Sequence, residues 1–148
     1  MGTVTAVCVS ETKGVRKKNM AEGMLRAGHG LEDDAHAGPG IRQVSLLSLE
    51  KIEEFRKRGA IVSFGDFGEN LVVSGLDFIA LPIGTQLGVG DALLEISQHG
   101  KECHTRCAIY QAMGECIMPT QGVFAKVLRD GAIRVGDVMT VCAQPCQP

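Results

Sequence analysis

Tryptophan is missing from this 148-residue chain, tyrosine occurs once and phenylalanine five times. The core must therefore be mainly aliphatic. Long apolar runs are also missing, and none approaches the roughly 20 residues that span a bilayer. The first residues lack a basic stretch followed by an apolar segment and a cleavage site. These absences lead to the expectation of a soluble, cytoplasmic protein with no membrane partner. A large excess of one charge is missing too: a formal net charge of -2 gives no global reason to expect nucleic acid binding. There is no Gly-Lys-Ser/Thr of a Walker loop and no pair of Cys-x-x-Cys knuckles.

What the chain does have is glycine, 19 of them, and six cysteines. The length suits one domain, read here as residues 1–141, with 142–148 as a frayed tail. In a reducing compartment Cys8, Cys103, Cys107, Cys116, Cys142 and Cys146 are expected mainly as free thiols or ligands. Cys8 alternates with valines and reads as core, and Cys142 and Cys146 lie in the tail without an evident task. Thr3 to Ser10 predicts a first strand. Met20 to Gly40, rich in Gly, Asp and His, reads as a long loop, and Arg42 to Leu47 as a strand. Ser48 is placed to cap a helix running to about Arg58, with Leu49, Ile52 and Phe55 on one face and Gly59 at its C-terminal end. Further short β-prone segments are Ala60–Val62, Asn70–Val73, Gln86–Val89, Leu93–Ser97 and Val138–Val141. Gly122 to Leu128 fits a strand or a helical turn. Gly65-Asp66, Gly90-Asp91 and Gly136-Asp137 punctuate them as turns. The sum is a mainly β, β-rich α+β domain, barrel-like, with one or two helices.

The chemistry concentrates between Gly100 and Cys107. Cys103 and Cys107 stand among Lys101, His104 and Arg106. Cations lower a thiol's pKa, and the thiolate is the form that attacks electrophiles and binds soft metals. Buried cysteines are often mere small hydrophobes, but these neighbours are poor core company. Zinc is the competing reading, with His99, Cys103, His104, Cys107 and Cys116 as candidate ligands; their spacing fits no paired knuckle. Asp33, Asp34 and His36 fall in the glycine-rich loop. The two acids read as a polar turn with exposed side chains, whereas His36 suits a ligand-shaping loop. Arg42, followed by Gln43, offers a fork for phosphate or carboxylate, or else a surface salt bridge. Glu69 and Asn70 fit a ligand-orienting role or a turn-capping one. Lys13, in the basic run to Lys18, belongs to a solvated loop or a phosphate clamp.

Together these segments resemble the MOSC domain, named for the C-terminal region of eukaryotic molybdenum cofactor sulfurases. The residues that carry the resemblance are Lys13-Gly14, Gly30 to Gly38, Arg42 to Leu47, Gly68 to Leu71 and Ile83 to Asp91. It continues through the Cys103 segment, Gly122 to Ala125 and Gly136-Asp137. The chain is similar to the compact, stand-alone bacterial type. The resemblance implies a partly closed β-barrel and a reactive cysteine that handles sulfur or ligates molybdenum in a molybdopterin-type cofactor. Two departures stand out: Asp33 precedes Asp34 where the family usually has Gly, and Glu102 precedes Cys103 where Pro is frequent. Cys103 and Cys107 both align with the family's cysteine; Cys103 follows the strand and turn at the matching distance and is favoured. On this resemblance Cys103, Cys107, His36 and His104 are the catalytic or metal-binding candidates. Lys13, Arg42, Gln43, Glu69, Asn70, Lys101 and Arg106 are the cofactor-binding candidates. The expected partner is a sulfur donor such as a cysteine desulfurase, or a redox partner. Two other functions stay open: a molybdenum-dependent reductase of N-hydroxylated compounds, and a non-catalytic, zinc-stabilised binding module.

Overall fold

The computed structural model describes residues 2–10, 17–35, 37–59, 63–65, 67, 69–99 and 122–142. The segment from 100 to 121, with Cys103, His104 and Cys107, lies outside these, as do Lys13, His36, the strand expected over Ala60–Val62 and the tail beyond Cys142.

Strands β1 (Gly2–Val9), β5 (Val44–Ser48), β6 (Leu71–Ser74), β7 (Gln86–Val89), β8 (Ala92–His99), β9 (Val123–Arg129) and β11 (Val138–Val141) hydrogen-bond in the order β11-β7-β8-β9-β5-β6-β1. The β1–β11 pairing closes this row into a seven-stranded barrel, as the composition and turn pattern led us to expect. The short strand β2 (Lys18–Asn19) adds to the far end of β1. A second sheet of β3 (Glu22–Arg26), β4 (Gly30–Leu31) and β10 (Gly131–Arg134) has the order β10-β3-β4.

Alternation explains which residues face inward. Val44 and Leu46 of β5, Leu71 and Val73 of β6, and Leu94 and Ile96 of β8 all enter the central core. The intervening Leu47, Val72 and Phe124 point outward and pack under the helix α1 (Leu49–Lys57), with Ile52, Phe55 and Phe67. β1 serves both layers. Val4 and Val7 are in the barrel and Ala6 and Cys8 in the outer cluster. That phase shift needs an extra residue, and the pairing of β1 with β6 slips between Val4 and Ala6. Cys8 is a buried free thiol. Phe55 and Phe67 meet edge to face with ring centroids 5.4 Å apart, a contact that adds about 1 kcal/mol to their burial.

Three expectations need correction. The stretch from Met20 to Gly40 is no simple loop, because it contains β3 and β4. β3 pairs with β10, from Leu25 opposite Gly131 to Glu22 opposite Arg134, and such a distant partner leaves no local pattern. Ser48 precedes the helix without a capping hydrogen bond; its Oγ donates to the Leu76 carbonyl at 2.5 Å. Cys142 is disulfide-bonded, against the expectation of a free thiol.

Among the described residues, Ala21 and Asp33 are non-glycine residues with positive φ. Asp33 has φ 70°, the left-handed region where Gly is at ease, which accounts for the residue the family usually places there. Gly65 has φ 95°, and a Cβ on it would lie 2.0 Å from the Lys17 carbonyl oxygen. Asp33→Gly should therefore raise the unfolding free energy measured in urea by about 0.5 kcal/mol, while Gly65→Ala should lower it by about 3 kcal/mol. A loss of stability in Asp33→Gly would show that the exposed Asp33 side chain does something that its backbone does not reveal.

Candidate functional site

Polar side chains are buried at one end of the barrel. Asn70, just before β6, joins three strands. Its Oδ1 accepts the Ser45 backbone N–H at 3.0 Å and the Ser45 hydroxyl at 3.2 Å, and its Nδ2 donates to the Cys8 carbonyl at 3.0 Å. β5 and β6 run parallel. Parallel neighbours have no hairpin to set their register, and this asparagine ties their starts together. Glu69 is fully buried and accepts the Gly65 and Phe67 amides at 3.0 and 3.1 Å. Gln43 is also buried: its Oε1 accepts the Val127 N–H at 2.9 Å and its Nε2 donates to the Gly40 carbonyl at 3.0 Å. All three bind backbone, so they shape loops.

Asp34 and Lys17 correct the expectation of an exposed acidic turn and a solvated basic run. They form an ion pair at 2.9 Å with side chains 0% and 2% exposed. Asp34 Oδ1 also accepts the Ser10 N–H at 3.0 Å. Burial alone would raise the Asp34 pKa. The hydrogen bond and charge of Lys17, the Ser10 amide and the Asn70 side chain outweigh it, and the carboxyl titrates below its ordinary range. Asp33 is exposed, as expected.

Arg42 differs from these. It is exposed at the start of β5, its Nε donates to Gln98 Oε1 at 3.1 Å, and its guanidinium lies 5.4 Å from the Phe124 ring centroid. Both partners are neutral. Among the described residues no carboxylate neutralises it, and its terminal nitrogens remain available. The pairing of β8 with β9 slips between Ile96 and Gln98, and Ser97 Oγ donates to the Ile41 carbonyl. The irregularity thus turns two consecutive β8 side chains toward the Arg42 segment, a common use of a bulge at a barrel rim. Sequence reading missed Ser97, Gln98 and Phe124. Their only signal was that Ser97-Gln98-His99 breaks the apolar character of β8.

The thiol-bearing segment is connected to this rim. Gln98 pairs with Phe124 and His99 with Val123, so the described chain leaves β8 and re-enters β9 at one place beside Arg42. His99 Nε2 donates to the Leu81 carbonyl at 2.5 Å, which leaves its Nδ1 for any metal. Among the described residues no three His, Cys, Asp or Glu side chains converge on a metal position. Nor is any helix among them long and apolar enough to cross a membrane.

The MOSC domain sequence profile matches residues 32–140. The chain belongs to the MOSC domain family. No curated protein sequence matches it. Several solved structures share the fold. The YUAD protein from Bacillus subtilis has a TM-score of 0.76 at 21% identity, over 94% of each chain. YiiM from Geobacillus stearothermophilus has a TM-score of 0.73 at 20% identity, over 96% of this chain and 75% of its own. YiiM from Escherichia coli has a TM-score of 0.66 at 18% identity, over 98% of this chain and 72% of its own.

MOSC domains in general bind the molybdenum cofactor. The described residues of this MOSC domain fit the anionic part of such a group, because Arg42 holds a fixed, uncompensated guanidinium at the rim.

The ion pair gives a pH prediction. Asp34 has a lowered pKa in the folded chain, so its contribution is fully present above its ordinary value of 3.8 and is lost as pH falls through the lower, folded value. Asp34→Asn should cost about 3 kcal/mol at neutral pH, because it leaves the Lys17 ammonium buried without its counter-charge. In urea titrations, the gap between wild type and Asp34→Asn should narrow on acidification below that value. A gap that stays constant or widens there would contradict the assignment.

Proposed function

We propose that this MOSC domain binds the molybdenum cofactor at the rim where β5, β8 and β9 meet, and that Cys103 serves it as a sulfur carrier or molybdenum ligand. One observation carries the reading. The connection that holds Cys103 and Cys107 is anchored at the His99–Val123 pair, beside an arginine whose charge is not neutralised by its described neighbours. Arg42 receives an anionic group of the cofactor by charge-assisted hydrogen bonds, and Lys13, Lys101 and Arg106 add positive charge. Gln43, Glu69 and Asn70 act as the frame that holds these loops. His36 and His104 are the proton carriers, since imidazole titrates near neutral pH. The cofactor, when bound, supplies the redox-active metal and its dithiolene sulfurs.

Loading of Cys103 is a sulfur exchange. The Cys103 thiolate attacks the terminal sulfur of a donor persulfide. The donor's S–S bond breaks, a new S–S bond forms on Cys103, and the donor leaves as a thiolate, with no net oxidation. A cysteine desulfurase is the class of donor that presents such a persulfide.

Two variants test the roles. Cys103→Ser removes a soft thiolate at nearly constant volume. It should abolish molybdenum content and persulfide mass in folded protein, whereas Cys107→Ser should reduce them only in part. The opposite ranking would move the role to Cys107, and full loading of both would end the proposal. Arg42→Ala should change the unfolding free energy measured in urea by less than about 0.5 kcal/mol, because the side chain is exposed. It should weaken cofactor binding about tenfold, in line with the loss of one charge-assisted contact. Unchanged affinity in a direct titration would take Arg42 out of the site.

A further inference from the structure

We propose that the buried Lys17–Asp34 pair, beyond its part in stability, is a positioning device for the rim site, an inference that rests on the reading of Arg42 given above. A buried ion pair gains little over an apolar pair of similar size, so stability alone does not account for one this deeply enclosed. What the pair does is fasten the loop at Asp34 to the paired ends of β1 and β2. One carboxylate holds Ser10 at the end of β1 through Oδ1 and Lys17 at the start of β2 through Oδ2. Ala35 N–H donates back to the Ser10 carbonyl at 2.7 Å, and Lys17 N–H to the Gly65 carbonyl at 3.0 Å. Asn70 binds the Cys8 carbonyl on β1 and the Ser45 N–H on β5, three residues beyond Arg42.

Asp34 therefore fixes one end of the stretch that runs to Arg42. The other end is fixed by Gln43 at the Gly40 carbonyl, and Gly38 N–H is held by the His29 carbonyl at 2.7 Å between them. Without Asp34 as a tether, that stretch is held to the end of β1 only by the Ala35–Ser10 backbone hydrogen bond, and Arg42 loses the fixed backbone position from which its Nε meets Gln98. Its effect travels through the loop.

The test uses two double variants of the full chain. Lys17→Met/Asp34→Leu keeps volume and removes the tether, while Lys17→Gln/Asp34→Asn removes the charges but keeps a hydrogen-bonded link. Each is compared with wild type by circular dichroism, by molybdenum content after growth in a molybdenum-replete host, and by the NMR signal of the Arg42 Nε–H group. Arg42→Lys identifies that signal by its disappearance. The expected result is a folded Lys17→Met/Asp34→Leu protein with a displaced Arg42 signal and at least a fivefold loss of molybdenum. The Gln/Asn variant should match wild type on both. A role in stability alone would restore all three readouts whenever the fold is restored. The proposal is overturned if folded Lys17→Met/Asp34→Leu keeps the wild-type Arg42 signal, if it keeps its molybdenum, or if it fails to fold. Should wild type itself carry no molybdenum, a displaced Arg42 signal still supports the positioning role, and the functional proposal alone falls.

Discussion

The rest of the structure depends on the closure of the barrel along β1. At its beginning, Gly2 and Thr3 pair with Met139 and Val138 of β11, and Thr3 also opens the ladder with β6. Val4 extends the junction by exchanging backbone hydrogen bonds with Asp137 and Gly136, each at 2.8 Å. A closed sheet has no edge among its barrel strands, which removes the usual route to pairing with other chains. Closure also carries a demand. β1 must face the barrel interior and the helix-covered outer layer in turn, and the slip between Val4 and Ala6 reconciles the two. The far end of β1 then falls where Asp34 and Asn70 can reach Ser10 and Cys8.

That far end is where polar groups enter the interior. Lys17, Asp34, Gln43, Ser45, Glu69 and Asn70 are all buried there, a costly placement unless each is hydrogen-bonded. Among the described residues no buried side-chain nitrogen or oxygen is without a partner. Most of these partners are backbone groups of loops and strands. A satisfied network of this kind defines one geometry, because slipping any loop would strand several polar atoms together. Arg42 stands outside the network, braced by an amide and an aromatic face and not by a carboxylate. The contrast separates the scaffold from the group that meets a ligand.

Much of the fold was legible because it rests on local pattern. The alternation in Gln86–Val89 and Val138–Val141 gave strand bounds that the structure reproduces, and the Gly-Asp dipeptides marked turns where Gly90 and Gly136 have positive φ. The helix was readable from Ile52 and Phe55, which are its buried residues. What was not legible depends on distant partners. β3 and β10 become strands by pairing with each other across most of the chain. Asp34 looks like any loop acid until Lys17 is placed against it. In the candidate site Arg42 stood out by its charge, while Gln98 and Phe124, which orient it, were hidden in β8 and β9, where nothing local tells a brace from an ordinary strand residue.

The cationic rim and the two ends of the thiol-bearing segment meet at the His99–Val123 junction, and the central claim is that rim and segment hold a molybdenum cofactor. The most direct measurement is metal analysis with mass spectrometry of the wild-type protein, purified from a molybdenum-replete host. The account predicts molybdenum and pterin in equal amounts, together retained through purification. Tightly held zinc without pterin, or a metal-free protein that takes up no cofactor on direct titration, would contradict it.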